Sequence, residues 1–137
     1  MTRNKSFMAI DVGEKRIGVA LGDSGVRIAV PFETVEVDGT EIEQLVAIAT
    51  REAVDTLVVG YPRNQSGEPT AQTRYVEDFT KRLSDMTAEL VFQDESLTSV
   101  LAEQRLKAYN QPYTKGDIDA QAAAIILQDY IEANYAT

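Results

Sequence analysis

The spacing of apolar residues changes period near residue 40, and that change restricts the fold more than any other feature of the chain. Before it, Ile17, Val19 and Leu21 recur every second residue, and Val26, Ile28, Val30 and Phe32 do the same, which is the pattern of half-buried strands. Val35 and Val37 fall on the opposite parity, so a bulge or break is expected near Pro31. The apolar run Phe7 to Ile10 ends at Asp11 and meets the turn signal Gly13-Glu14-Lys15. The first third therefore predicts a three-strand antiparallel meander.

After Asp38-Gly39-Thr40 the period becomes helical. Thr40 and Glu43 stand at capping-box spacing, and Ile42, Leu45, Val46, Ala49 and Ala53 form one face. Thr56 to Val59 is a continuous apolar strand, suited to burial on both sides. Gln72, Tyr75, Val76, Phe79 and Leu83 repeat at helical spacing, and Leu90 to Phe92 supplies another short strand. A helix is expected from Thr98 to Tyr109, with Leu101, Ala102, Leu106 and Tyr109 on one side, and an alanine-rich helix from about Ile118 to Asn134. Three hairpin strands followed by strand-helix alternation predict an α/β domain over residues 1–137. Its five-stranded mixed sheet has a three-strand meander plus two parallel strands, with helices on both faces. This is the element order of the RNase H-like fold.

Composition restricts the chemistry. The chain has 137 residues, no cysteine and no histidine, which removes thiolate and imidazole metal sites, cysteine nucleophiles and serine-histidine triads together. Hydrolysis would have to rely on carboxylates, lysines, hydroxyls or oxygen-bound metals. No apolar run approaches the ~20 residues of a membrane span, and the chain reads as cytoplasmic, with no membrane partner. The net charge of −9 opposes a polyanionic partner overall. Carboxylates that collect divalent cations belong to that count, however, and a local basic surface can coexist with it.

Ligands of such sheets gather beyond the carboxyl ends of parallel strands. Asp11, the segment Gly60 to Arg63, and Asp94-Glu95 all lie there. In the last helix Asp119, Ala122, Ala123, Ile126, Leu127 and Tyr130 share one face, so Asp119 begins its buried side. Carboxylates meeting at such a point repel one another, and a hard divalent cation removes the conflict. Oxygen-only donors select Mg²⁺ or Mn²⁺. Two such ions about 4 Å apart could activate water and stabilise the leaving oxygen of a phosphodiester. Structural readings stand beside this one: Asp119 or Asp117 as a helix N-cap, Asp11 as a turn residue, Asp94 and Glu95 as a solvated loop. Lys15, Arg16 and Arg63 lie where they could meet phosphates, or they could simply be solvated. Tyr75, Phe79, Tyr109 and Tyr130 sit at core-like positions and offer no base-stacking platform.

Four segments carry a resemblance: Ile10-Asp11-Val12-Gly13-Glu14-Lys15-Arg16-Ile17-Gly18-Val19-Ala20; Val59-Gly60-Tyr61-Pro62-Arg63-Asn64 with Gly67; Asp94-Glu95-Ser96-Leu97-Thr98-Ser99; and Asp117-Ile118-Asp119-Ala120-Gln121-Ala122-Ala123. In this order and spacing the chain resembles the YqgF (RuvX) family, the Holliday junction resolvase-like or pre-16S rRNA nuclease group of the RNase H-like superfamily. The resemblance implies Asp11, Glu95 and Asp119 as catalytic acids and metal ligands, with Asp94 as a supporting or alternate ligand. It implies maturation of the 5′ end of pre-16S rRNA, alone or on ribosomal precursor particles, or resolution of DNA junctions. The family pattern Asp-Glu-Arg-Leu-Thr-Thr is broken here by Ser96 and Ser99, which removes an arginine that could grip phosphate or pair with the acids.

Two other classes fit parts of the sequence. Asp11-Val12-Gly13 before a hairpin also resembles the first phosphate loop of actin-like ATPases and sugar kinases, which bind nucleotide between two such lobes. A non-catalytic nucleic-acid-binding factor in ribosome assembly or transcription would keep the fold without cutting.

Overall fold

The computed structural model describes residues 4–62, 68–95 and 98–135. In chain order the elements are β1 (Ser6–Val12), β2 (Arg16–Asp23), β3 (Val30–Glu36), α1 (Glu41–Arg51), β4 (Thr56–Pro62), α2 (Ala71–Lys81), β5 (Glu89–Glu95), α3 (Thr98–Ala108) and α4 (Lys115–Tyr135). The sheet order is β3-β2-β1-β4-β5. β1, β2 and β3 pair antiparallel, whereas β4 runs parallel to both β1 and β5. This is the expected α/β mixed sheet.

Strand alternation divides the core into two faces of different character. Met8, Ile10, Val12, Ile17, Val19, Leu57 and Val59 pack with Leu45 and Ile48 of α1 and with Val76 and Phe79 of α2. The other face presents Phe7, Ala9, Ala20 and Val58 to Ala123, Ala124, Ile126 and Leu127 of α4. Small residues on both sides allow α4 to lie close to the sheet. The closest approach is at Gly18, where an added Cβ would fall 1.9 Å from the Asp119 carbonyl oxygen. α3 packs on α4 through Ala102, Ala122 and Ile125.

The expected bulge is present. Val19 faces Glu33 but Ala20 faces Pro31, leaving Phe32 as the extra residue. The strand expected from Val26 starts later, at Val30. The Asp23 carboxylate accepts hydrogen bonds from the amides of Gly25 and Val26 at 2.9 and 2.7 Å, and Arg27 adopts a φ of 64°. That turn leaves Val26 and Ile28 exposed. Gln128 of α4 accepts from the Ala29 amide and donates to the Arg27 carbonyl, completing the connection.

The helix ends depart from expectation in four places. Thr40 forms no side-chain cap on α1; its hydroxyl donates instead to Asp38. Ala53 lies beyond the helix at a φ of 51°, so Val54 takes the buried place. Tyr109 follows α3 and is 61% exposed, because the helix ends at Ala108 and the chain turns. α4 starts earlier than expected: Thr114 and Asp117 exchange amide-to-side-chain hydrogen bonds at 2.8 and 3.1 Å. That reciprocal pair performs the capping and frees Asp119 from it.

Glu41 went unnoticed in the sequence. Its side chain is only 3% exposed, accepts from the Gly39 amide at 2.7 Å and pairs with Arg82 at 3.0 Å. The backbone hydrogen bonds and then Arg82 hold its carboxyl below the usual range, outweighing burial. Glu41→Ala is expected to cost about 1–2 kcal/mol, because Gly39 and Arg82 lose their acceptor. The lowered acid gives a stability contribution present at neutral pH and lost as pH falls through its folded pKa. Urea unfolding at pH 7 and pH 3 should show a larger difference between parent and variant at pH 7.

Candidate active site

Three segments end at one edge of the sheet. β1 carries Asp11 directly opposite Gly18 of β2, and Gly18 lies against the Asp119 backbone. The hairpin between β1 and β2 is tight, its Gly13 amide donating to the Arg16 carbonyl at 3.1 Å. The turn brings Arg16 back beside the carboxyl end of β1. On the other side β4 and β5 run parallel, with Pro62 opposite Glu95.

Parity decides which acid of the Asp94-Glu95 pair belongs here. Phe7 and Ala9 face α4, so Asp11 follows them onto that face. Val91 also packs toward α4, and Glu95 shares its parity whereas Asp94 does not. A Cβ added at Gly60 would stand 3.1 Å from Glu95 Oε2 and 2.6 Å from the Ile126 side chain. Gly60 therefore leaves room for the Glu95 carboxylate under α4. Asp94 is exposed and takes the parity of Phe92, which contacts Tyr61 with ring centroids 4.9 Å apart.

The electrostatics follow from this crowding. Burial, then the negative charges of Glu95 and Asp119, raise the Asp11 carboxyl from 3.8 to about 8. Asp119 has a counter-charge, since Arg16 Nε donates to its Oδ2 at 2.7 Å in a partly exposed pair. No three such acids among the described residues stand close enough to hold one metal ion between them. The Asp119 carboxylate is turned toward the Arg16 guanidinium.

The remaining candidates divide. Lys15 is exposed in the hairpin turn, and its carbonyl accepts from the Val37 amide. Arg16 is committed through Nε to Asp119. Arg63, Asn64 and Gly67, with Ser96, lie outside the described residues, as do the side chains of Thr98 and Ser99. Two supporting contacts, one from Gln72, expected only as part of a helix face, and one from Thr73, have no signal in the sequence pattern. Gln72 Nε2 donates to the Val12 carbonyl at 3.2 Å, and the Thr73 hydroxyl donates to the Pro62 carbonyl. Both tie the start of α2 to strand ends flanking the acids. Thr70-x-x-Thr73 is a capping box with threonine at its third position, a variant of the glutamate pattern that a search for glutamate or glutamine misses.

A family model described as "RuvX: Holliday junction resolvase" matches residues 5–133. The chain belongs to the RuvX family. RuvX relatives cover nearly all of it. A protein of Chloroflexus aurantiacus named "Putative pre-16S rRNA nuclease" is 41% identical over 132 residues, covering 93% of this chain and 86% of that protein. One of the same name from Synechocystis sp. is 39% identical over 140 residues, covering 96% and 90%. Among solved structures, Thermus thermophilus RuvC in complex with Holliday junction substrate superposes with a TM-score of 0.58 at 14% identity, covering 94% of each chain. The fowlpox virus resolvase in complex with Holliday junction DNA gives 0.56 at 11%, covering 93% of this chain and 97% of that one. At these identities the likeness establishes a RuvC-like RNase H fold. Among the described residues no helix is long and apolar enough to cross a membrane.

Proposed function

We propose that this RuvX-family chain is a divalent-metal-dependent nuclease that hydrolyses phosphodiester bonds in RNA, with the 5′ end of pre-16S rRNA as its substrate. The observation that carries the reading is the convergence of Asp11, Glu95 and Asp119 at one edge of the sheet, where burial and the two neighbouring charges push the Asp11 carboxyl up to about 8. A half-buried acid pressed by two others is costly without a positive partner.

The donor set fits a hard cation, because the chain has no histidine or cysteine and the three groups offer only carboxylate oxygens. Asp11, Glu95 and Asp119 would hold it. Bound Mg²⁺ or Mn²⁺ supplies a lowered pKa for an attacking water and stabilisation of the charge developing on the phosphate. The protein's own contribution is positional. Gly18 and Gly60 let α4 and Glu95 close on Asp11, and Gln72 fixes the carbonyl that follows it. Arg16 balances Asp119 and has its remaining guanidinium donors available to a phosphate.

The choice of RNA rests on the names of the relatives at 41% and 39% identity. A second reading, cleavage of DNA junctions, rests on the family's description. Both are tested together. With Mn²⁺ or Mg²⁺, purified protein should cut a precursor 16S RNA fragment faster than a four-way DNA junction. Glu95→Gln and Asp119→Asn should each lose cleavage by about 10³-fold or more while keeping the parent's circular dichroism. Undiminished cleavage in both variants would assign the activity to a contaminant and overturn the proposal.

A further inference from the structure

A groove of about 490 Å³ runs between β3 and the helices α3 and α4, and nothing in the proposed chemistry uses it. Phe32, Leu106 and Tyr109 form apolar walls, and Thr34, Asp117 and Gln121 supply its polar surface. Tyr109 is 61% exposed, so its ring is open to a ligand, whereas the Phe32 ring lies under the Arg51 guanidinium, 5.8 Å from its centroid. The groove adjoins the acids. Thr34 pairs with Gly18, which pairs with Asp11, placing it two strand spacings, about 10 Å, from Asp11. Asp117 and Gln121 bracket Asp119 on α4.

Gln121 is the decisive residue. It is 5% exposed, yet its amide has no hydrogen-bond partner among the described residues. Every fully buried side-chain nitrogen or oxygen in the described structure has a partner, so the Gln121 amide must meet solvent, and the solvent it meets is in the groove it lines. That opening leaves the Gln121 amide donor and acceptor available to a ligand entering the groove.

We infer that this groove is a nucleobase subsite, which takes an unpaired base next to the cleaved phosphate and reads its edge through the Gln121 amide. The inference rests on the nuclease reading above. Single-stranded bases are recognised by stacking on aromatic rings and by hydrogen bonds to their edges. Tyr109 offers an exposed ring, and Gln121 offers a donor beside an acceptor. The charged residues lining the groove, Glu33 and Asp117, are both acidic, which repels phosphate and favours a base edge bearing an amino group. Adenine and cytosine present an amino donor beside a ring-nitrogen acceptor, whereas uracil has no amino group and presents a ring N–H between two carbonyls.

The test uses the full chain carrying Asp11→Asn, so that RNA is bound and not cut, with short single-stranded oligoribonucleotides that carry adenine or uracil at one central position. Fluorescence anisotropy should show the adenine oligomer bound about tenfold more tightly. Gln121→Leu should reduce that preference to less than about twofold, and Tyr109→Ala should weaken both oligomers. Tyr109 is exposed, so its variant tests the groove even if the leucine variant misfolds. The Gln121 side-chain amide resonances should also shift on addition of adenosine 5′-monophosphate. If both oligomers bind equally to the parent, and Gln121→Leu and Tyr109→Ala change nothing, the subsite is overturned while the nuclease reading stands. If no oligomer or precursor RNA binds any form with Mn²⁺ present, the nuclease reading falls and the subsite with it.

Discussion

Asp11→Asn is expected to produce a protein that no longer cleaves nucleic acid and is more stable than its parent at neutral pH. The two effects have one origin. Burial first, then Glu95 and Asp119, lift the Asp11 carboxyl from 3.8 to about 8. Between those values the folded protein retains a proton that the unfolded chain releases. The contribution of Asp11 to stability is therefore fully present below about pH 4 and is lost as pH rises toward 8. At pH 7 the penalty is on the order of 2–4 kcal/mol, from 1.36 kcal/mol per pKa unit with allowance for coupling to two neighbouring acids. Asparagine keeps the shape and does not ionise, so the difference between variant and parent should grow from pH 5 to pH 8 in urea unfolding. Taking the difference cancels the other titrating groups, Glu41 among them. If the acids hold a divalent ion, Mn²⁺ should restore the parent at pH 8 and leave the variant unchanged. Parallel pH profiles for the two proteins would remove the electrostatic basis of the site.

Gly18→Val should be among the most damaging single substitutions in the sheet, for a reason unrelated to ionisation. A Cβ at this position would sit 1.9 Å from the Asp119 carbonyl oxygen and 2.8 Å from the Ala120 amide nitrogen, and backbone on the far side cannot rotate away as a side chain could. The whole start of α4 has to lift. α4 covers the face of the sheet built on Phe7, Ala9, Ala20 and Val58, so the displacement separates a packed layer, at a cost of about 3 kcal/mol or more. Cleavage should fall with it, because Asp119 moves away from Asp11. Gly39→Ala is the control: its φ is 101°, with nothing within 4 Å of an added Cβ. That change should cost only about 1 kcal/mol, as backbone strain. Thermal unfolding of the two variants separates crowding from strain, and equal losses would contradict the packing argument.

Much of this arrangement is visible in local sequence. Period two in Ile17, Val19 and Leu21 and period 3.6 in α1, α2 and α4 are properties of neighbouring residues, and they suffice for the element order and the mixed sheet. Once Ala9 and Val91 are known to face α4, counting every second residue selects Asp11 and Glu95 for that face and leaves Asp94 on the other. Exposed Val26, Ile28 and Tyr109 show the limit of the same reasoning. An Asx turn at Asp23 and an early end to α3 override an apolar pattern that suits burial equally well.

The local order of strands and helices, the absence of histidine and cysteine, and the four motifs follow from the chain's own composition and spacing, because each depends on residues close together along it. The partnership of Arg16 with Asp119 spans 103 residues, and the seats of α4 on Gly18 and of Glu95 beside Gly60 depend on how separate elements pack. Such contacts have no period. They arise when two faces of small residues allow a helix to descend onto a sheet, and only that descent sets the acids of distant segments within electrostatic reach of one another.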